Sequence, residues 1–456
     1  MTLVVAGGGI AALVAADAAA SAGRQVQLLL GHKGVGGGFA PLVLDGRRLD
    51  RGLRALELRY EGVGEPPPLH AYDAAGAGHR PYARRIESYL RELMGDSVVE
   101  LDRPRMWLHG RLGDEVLITC DLSRLRELLP DAEARVILAE TAGADGPPGV
   151  SRAASTTSLT AASVAQHGPT FHERLIGALA EKIRPAGGDD VPAALRRKLW
   201  LPLFHTSTVR EAAAGGPVRF RPERPLHAIE PDGTGAIITR LLARLEAAPT
   251  VTIRRIDGVE RVARDGDRVC ITPRGGACVV ARDPILALAP GELFAAAGLA
   301  YAPDRVTSVL AWIDVLEDDV LELPCFVHVL DSDVRVFRLS RGERQAGRVT
   351  ICVELAHDVA KDAAPAVAAA ALQRLGIVRE GADGVCLAAF AGPTFTAPTF
   401  ANAARFTAAR AAYDALGIPA RTIGGSEAFG ADSFNEQLIQ GLAAAEDRAP
   451  AATRAA

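Results

Sequence analysis

The sequence predicts an α/β protein in which a parallel sheet is joined to a second part of mixed α+β character. Three observations carry that prediction. The apolar run Leu3-Val4-Val5-Ala6 leads directly into Gly7-Gly8-Gly9-Ile10-Ala11-Ala12, a G-x-G-x-x-A motif at a strand-to-helix turn. A second glycine cluster, Gly36-Gly37-Gly38-Phe39, follows the next apolar run. Successive short strands between residues 305 and 356 then read as an antiparallel sheet.

Leu3–Ala6 has the length and apolarity of a buried parallel strand. Leu13–Ala22 is a small-residue helix that stops at Gly23, and Arg24–Leu30 is the second strand. Gly7 makes the tight turn, Gly9 lets backbone approach a pyrophosphate, and Ala12 permits close helix–strand packing. The helix N-terminus attracts the phosphates. Binders of this kind usually carry an acid at the end of the second strand for the ribose hydroxyls. Here Leu30 stands in that place, followed by Gly31, His32 and Lys33. Two readings compete: Lys33 meets a 2′-phosphate, as in an NADP site, or the ribose contact is weakened or lost.

At 456 residues the chain has room for roughly two to three domains. Its 51 basic and 55 acidic residues give a net charge of −4, which argues against a polybasic nucleic-acid binder. Hydrophobic residues at 48% and charged residues at 23% allow a large core and exclude wholesale disorder. Lys33, Lys182, Lys198 and Lys361 are the only lysines, and alanine is abundant, a bias of GC-rich bacterial genes rather than a chemical signal. The cysteines at 120, 270, 278, 325, 352 and 386 contain no C-x-x-C pair. Scattered single cysteines fit a reducing cytoplasm. No signal peptide is read, and the apolar stretch near 284–302 is broken by Pro290-Gly291-Glu292, so no membrane span is expected.

Farther along, Pro66-Pro67-Pro68 marks a loop, and Tyr82–Met94 has helical periodicity. Met106-Trp107-Leu108 reads as a strand. Asp121–Leu129 reads as a helix with Asp121 at its cap. Residues 142–168 begin as a loop and continue as a polar, small-residue helix. Phe171–Ile183 and 191–214 are helical stretches. Thr250–Arg255 is a strand, and Val269–Thr272 pairs with Cys278–Ala281 around Arg274-Gly275-Gly276. The strands of the later sheet are Val306–Val315, Cys325–Leu330, Val334–Ser340 and Arg348–Leu355, and Asp362–Leu375 is a helix.

Several of these segments together carry a family resemblance. Gly36-Gly37 is followed by Asp50-Arg51-Gly52, a D-x-G segment. Gly233-Thr234-Gly235 precedes an apolar-periodic helix, and Ile256-Asp257-Gly258-Val259 and Pro284–Pro290 follow. Arg421–Glu427 is a strand running into a glycine turn. Phe429–Ala445 is a loop and helix in which Ser433 and Glu436 fit a capping box. The set resembles the flavoprotein family of amine oxidases, protoporphyrinogen oxidases, phytoene desaturases and UDP-galactopyranose mutases. The resemblance implies a Rossmann-like FAD-binding domain built from residues 1–60, 220–290 and 400–456. It also implies a mixed α+β substrate-binding domain, residues 61–219 and 291–399, with an antiparallel sheet and a helical part. Implied cofactor contacts are Gly7, Gly8, Gly9, Ile10, Ala11 and Ala12; Gly36, Gly37, Gly38 and Phe39; Val259, whose backbone meets the adenine; and Gly425, Ser426, Ser433 and Phe434. The chain departs from the family at Leu30, at Gly38 in place of an arginine, and at Ser426 in place of an acid.

No catalytic constellation stands out, and no metal-ligand cluster is read. The candidate strands 306–315 and 325–340 lack the lysine of the amine oxidase branch. Trp312, His328, Trp200 and His205 read as core residues before catalytic ones, and Cys325 as a buried hydrophobe. Arg47, Arg48, Arg51 and Arg54 suit an anion or a solvated face equally, and Tyr413 has no assigned role. The expectation is a cytoplasmic FAD-dependent oxidoreductase, with FAD held non-covalently. It would dehydrogenate a C–N or C–C bond of a small organic molecule, with neither nucleic acid nor membrane as partner. The alternative is a flavoprotein-fold module with lost or weakened FAD binding that acts as a partner or scaffold. A homodimer or protein partner is left open.

Overall fold

The computed structural model describes residues 2–31, 34–58, 61–63, 79–143, 156–218, 221–223 and 225–446. Lys33, the Pro66-Pro67-Pro68 loop and most of the loop expected after residue 142 lie outside them.

Five parallel strands form the first sheet, in the order Val251–Ile256, Val26–Gly31, Leu3–Ala6, Ile285–Leu286 and Arg421–Thr422. Segments far apart in sequence therefore meet at one set of strand ends. The strands Leu3–Ala6 and Val26–Gly31 are nearly wholly buried, as parallel strands covered on both faces must be. But for Asp17 and Ser21, helix Ile10–Ser21 is apolar all round, and it buries Ile10 through Asp17 because it is enclosed rather than laid on a surface. It shares a core with helices Gly235–Ala247 and Phe434–Ala445 through Leu13, Ile237, Leu241 and Leu438. Helix His79–Met94, assigned by sequence to the substrate-binding part, contributes Ile86, Leu90 and Leu93 to this same core. On the other face a three-stranded sheet (Val259–Asp265, Arg268–Pro273, Val279–Ala281) packs with helices Pro290–Ala296 and Phe400–Ala415 around Phe294, Phe406 and Tyr413.

The second large sheet has seven strands. Their order is Val385–Thr396, Arg305–Leu316, Arg348–Leu355, Val336–Gln345, Phe326–Val329, Arg105–Leu108 and Arg111–Asp114. All neighbours are antiparallel except Phe326–Val329 and Arg105–Leu108. Helix Ala364–Arg374 covers one face through Ala368 and Leu372. The helical part gathers Phe171, Leu175, Phe204 and Val209 into a separate core.

Several expectations change. Strand Val385–Thr396 and helix Phe400–Ala415 were not read from the sequence. The helix expected at Asp121–Leu129 shrinks to Leu125–Leu128, because Asp121 accepts from the Ser123 N–H in a turn (2.9 Å) instead of capping a helix. The stretch 191–214 divides into the tight helix Ala193–Leu199 and helix Thr206–Ala214, with Pro202 in the extended link. The hairpin brings Cys270 and Cys278 to a Cα separation of 5.9 Å as a disulfide, so these two are not the single cysteines expected. No described helix is long and apolar enough to cross a membrane.

Candidate functional site

A cavity of about 1200 Å³ lies between the parallel sheet, the seven-stranded sheet and the helical part. The carboxyl ends of the parallel strands open into it, the place where open α/β sheets bind ligands.

The first glycine segment forms its floor. Gly7 has φ +142°, and a Cβ there would sit 2.3 Å from the Ala287 carbonyl oxygen, so only glycine passes beneath that strand. Gly36 has φ +87°, and a Cβ there would strike Ile238 Cδ1 at 2.1 Å. Its N–H donates to the Gly8 carbonyl (2.7 Å), which fastens the second glycine segment onto the first. Gly37 packs beside Gly9, its Cβ position in ordinary van der Waals contact with Gly9 Cα at 3.8 Å. The start of helix Ile10–Ser21, with its unpaired amides, faces this junction. This is a cradle of backbone donors without side-chain bulk, and it fits a pyrophosphate.

The third segment completes the wall. Ser433 Oγ accepts from the Glu436 N–H (3.3 Å), and the Glu436 carboxylate accepts from the Ser433 N–H (2.8 Å), the capping box read from the sequence. Phe434 stacks edge-on against Phe39 with ring centroids 5.1 Å apart. The C-terminal helix and the second glycine segment therefore share an aromatic contact.

Of the residues named from the sequence, Gly7, Gly8, Gly9, Ala11, Gly37, Gly38, Phe39, Val259, Gly425, Ser433 and Phe434 line the cavity. Ile10, Ala12, Gly36 and Ser426 do not. Ile10 and Ala12 are fully buried behind the floor, and Ser426 is buried with its hydroxyl donating to the Leu288 carbonyl. Leu30 is also fully buried, its Cδ1 3.6 Å from the Cβ position of Gly8, so an apolar side chain occupies the end of the second strand. At the neighbouring rim the Val259 N–H donates to Glu292 Oε1 (3.1 Å). Pro273 opposes Val259 in the hairpin and has no N–H to offer its carbonyl.

The opposite end is built from Thr307, Ser308, Leu310, Phe337, Phe390 and Phe395 of the seven-stranded sheet, with Trp200 and Leu195 from the helical part. Ser308 and Thr394 hydroxyls are 2.6 Å apart. Sequence reasoning missed the charged groups on these walls. Arg338 makes a bidentate pair with the buried Glu354 (2.5 and 2.8 Å), and Glu354 also accepts from the Leu53 N–H (3.1 Å). Arg197 pairs with Glu57 (2.7 Å). Lys198 pairs with Asp432; burial pushes its ammonium below the ordinary lysine value, against the opposing pull of Glu436. Residues so separated carry no spacing signal, and only the fold makes them neighbours.

The other candidates are structural. Trp312 is buried and donates through Nε1 to the Asp50 carbonyl (2.8 Å), holding the D-x-G turn against the sheet. His328 is wholly buried outside the cavity lining, with Nδ1 3.0 Å from Glu115 Oε1. That carboxylate also accepts from the Leu117, Ile118 and Thr119 amides. Burial alone would raise the Glu115 pKa, but His328 and the amides outweigh it, and the net direction is down. Cys325 donates to the Asp102 carbonyl at 3.0 Å, and burial pushes its thiol up to about 12. Arg47 pairs with Asp314 (2.8 Å) and Arg48 with Asp232 (3.5 Å), whereas Arg51 and Arg54 line the cavity. His205 is buried at the start of helix Thr206–Ala214, and Tyr413 is buried beside Phe294.

No family model matches the sequence, and no curated protein matches it either. Solved structures do match in shape along nearly the whole chain. A reduced UDP-galactopyranose mutase superposes with a TM-score of 0.69 at 13% identity, covering 98% of this chain and 94% of that one. A putative protoporphyrinogen oxidase from Exiguobacterium sp. 255-15 gives 0.61 at 16%, covering 98% of each. A putrescine oxidase bound to putrescine gives 0.56 at 16%, covering 98% and 99%. The chain thus has the fold these mutase and oxidase structures share, a Rossmann-type parallel sheet set against a mixed α+β part.

Proposed function

We propose that this protein is an FAD-dependent oxidoreductase that dehydrogenates a C–N or C–C bond of a small organic molecule. The observation that carries the reading is the convergence of the two glycine segments and the capped C-terminal helix on one cavity that continues into an aromatic chamber. Gly7–Gly9 and Gly36–Gly38 would hold the pyrophosphate, and Ser433–Phe434 the flavin end. When bound, the flavin supplies a hydride acceptor at N5. Phe337, Phe390, Phe395 and Trp200 orient an apolar substrate and exclude water. The Ser308 and Thr394 hydroxyls supply a polar contact on the same wall. The Arg338–Glu354 pair fixes the charge of the wall without presenting a free carboxylate. The binding is read as non-covalent and the setting as bacterial specialised metabolism in the cytoplasm, with a small-molecule substrate as the partner.

Two specific features favour the second reading, a fold that has weakened or lost FAD binding and acts as a partner protein. Its adenosine end offers apolar Leu30 where an acid would serve the ribose, and Glu292 already engages the Val259 amide. The test is an absorption spectrum of the purified protein before and after heat denaturation. Oxidised-flavin bands released on denaturation support the enzyme. A colourless protein that takes up no added FAD removes it in favour of the partner reading.

A further inference from the structure

The second glycine segment has Gly38 where the resembling flavoproteins carry an arginine. A guanidinium nevertheless reaches this spot from elsewhere. Arg54, four residues beyond Asp50 of the D-x-G turn, donates from Nη2 to the Gly38 carbonyl at 2.9 Å. Its guanidinium carbon lies 5.5 Å from the centroid of the Phe39 ring. The side chain lines the cavity beside Gly37 and Gly38, and its Nε is closed off from solvent with no hydrogen-bond partner among the described residues. Asp50 and Glu354 lie close enough to hold the charge in place, and Glu354 is already committed to Arg338 and the Leu53 amide.

We propose that Arg54 is an anion-binding residue of the nucleotide site, supplying to the pyrophosphate of FAD the guanidinium that Gly38 lacks. The inference rests on the flavin reading and names the residue that makes up for one departure from the family. The Phe39 ring and the Gly38 carbonyl orient the guanidinium plane; with Nε shut away from the cavity, the Nη groups are the donors it turns to a phosphate oxygen, at the end of a planar donor set suited to phosphate.

The experiment is flavin titration of four chains, followed by fluorescence: the wild type, R54M, G38R and the double variant G38R/R54M. Each is titrated with FAD and with riboflavin, which has the ring but no phosphate. Methionine keeps an apolar stem of similar length and removes only the charge and donors. Gly38 has an ordinary φ, and its Cβ position has nothing within 4 Å, so an arginine there meets no backbone strain or clash. The expected result for R54M is an FAD affinity about ten- to a hundredfold weaker, the worth of one charged hydrogen bond, with riboflavin unchanged. In G38R/R54M the FAD affinity returns toward wild type.

If R54M binds FAD as the wild type does, or if G38R/R54M stays as weak as R54M, Arg54 holds no phosphate and the inference fails while the flavin reading stands. If R54M loses FAD and riboflavin equally, Arg54 only supports the loop, and the inference fails in the same way. If neither flavin binds any of the four chains, the flavin reading itself falls and takes the inference with it.

Discussion

Replacing Gly7 with alanine tests how the cradle is built. Gly7 sits at φ +142°, and its Cβ would lie 2.3 Å from the Ala287 carbonyl oxygen. Normal carbon–oxygen contact requires roughly 1 Å more, and a backbone atom cannot rotate away as a side chain can. Ala287 is itself tied to the first strand, its N–H donating to the Ala6 carbonyl at 2.8 Å. Relief therefore means prying strand Ile285–Leu286 from strand Leu3–Ala6. Unfavourable φ costs alanine about 1–2 kcal/mol, and a lost strand hydrogen bond about 1 kcal/mol. The sum for Gly7→Ala is about 2–3 kcal/mol. Gly23→Ala is the matched control, because Gly23 also has positive φ (+77°) but its Cβ would meet nothing within 4 Å. It should lose only the conformational term, about 1–2 kcal/mol. Urea unfolding followed by circular dichroism gives both values, and flavin titration shows whether the cradle survives. Gly7→Ala should also bind FAD at least tenfold more weakly, whereas Gly23→Ala should bind it normally. If the two variants agree within about 0.5 kcal/mol and both bind FAD normally, the close approach is not what requires glycine at position 7.

Two further outcomes follow from single contacts. Glu292→Ala frees the Val259 N–H for a purine nitrogen, so FAD should bind several-fold more tightly relative to riboflavin. Glu292→Gln still accepts from that amide and should leave the ratio as it is; a weaker FAD affinity in Glu292→Ala would mean that the carboxylate contacts the ligand. His167 is wholly buried, with Nε2 accepting from the Phe204 N–H (2.8 Å) and Nδ1 3.1 Å from Ser163 Oγ, and burial lowers its pKa to about 3. The unfolded chain, with an ordinary value of about 6.5, binds a proton between these two values that the folded chain refuses. Stability should therefore fall as pH drops below about 6.5, by about 2 kcal/mol at pH 5 from this group. Urea midpoints at pH 7 and pH 5 measure it, and His167→Gln should remove that share of the slope; equal slopes in the two chains would refute the assignment.

The sequence by itself determined the parallel sheet and its glycine turns. Such turns are local: a strand, a bend that only glycine can make and a helix start lie within a few residues, so Leu3–Ala12 declares itself without its neighbours. The Ser433–Glu436 capping box is legible for the same reason. Periodicity misled where a local polar group competed with the helix, as Asp121 does in its turn, and where Pro202 interrupted one. Strand Val385–Thr396 went unread because its identity comes from pairing with Arg305–Leu316, a partner far away in the chain. Only the tertiary structure brought Lys198 to Asp432, Arg338 to Glu354, Glu292 to Val259 and Arg54 to Gly38. Hydrogen bonds and ion pairs act over a few ångströms of space, whatever the sequence separation. The walls of this cavity are therefore set by which strands and helices meet, while its floor is set by backbone geometry that a short run of glycines encodes.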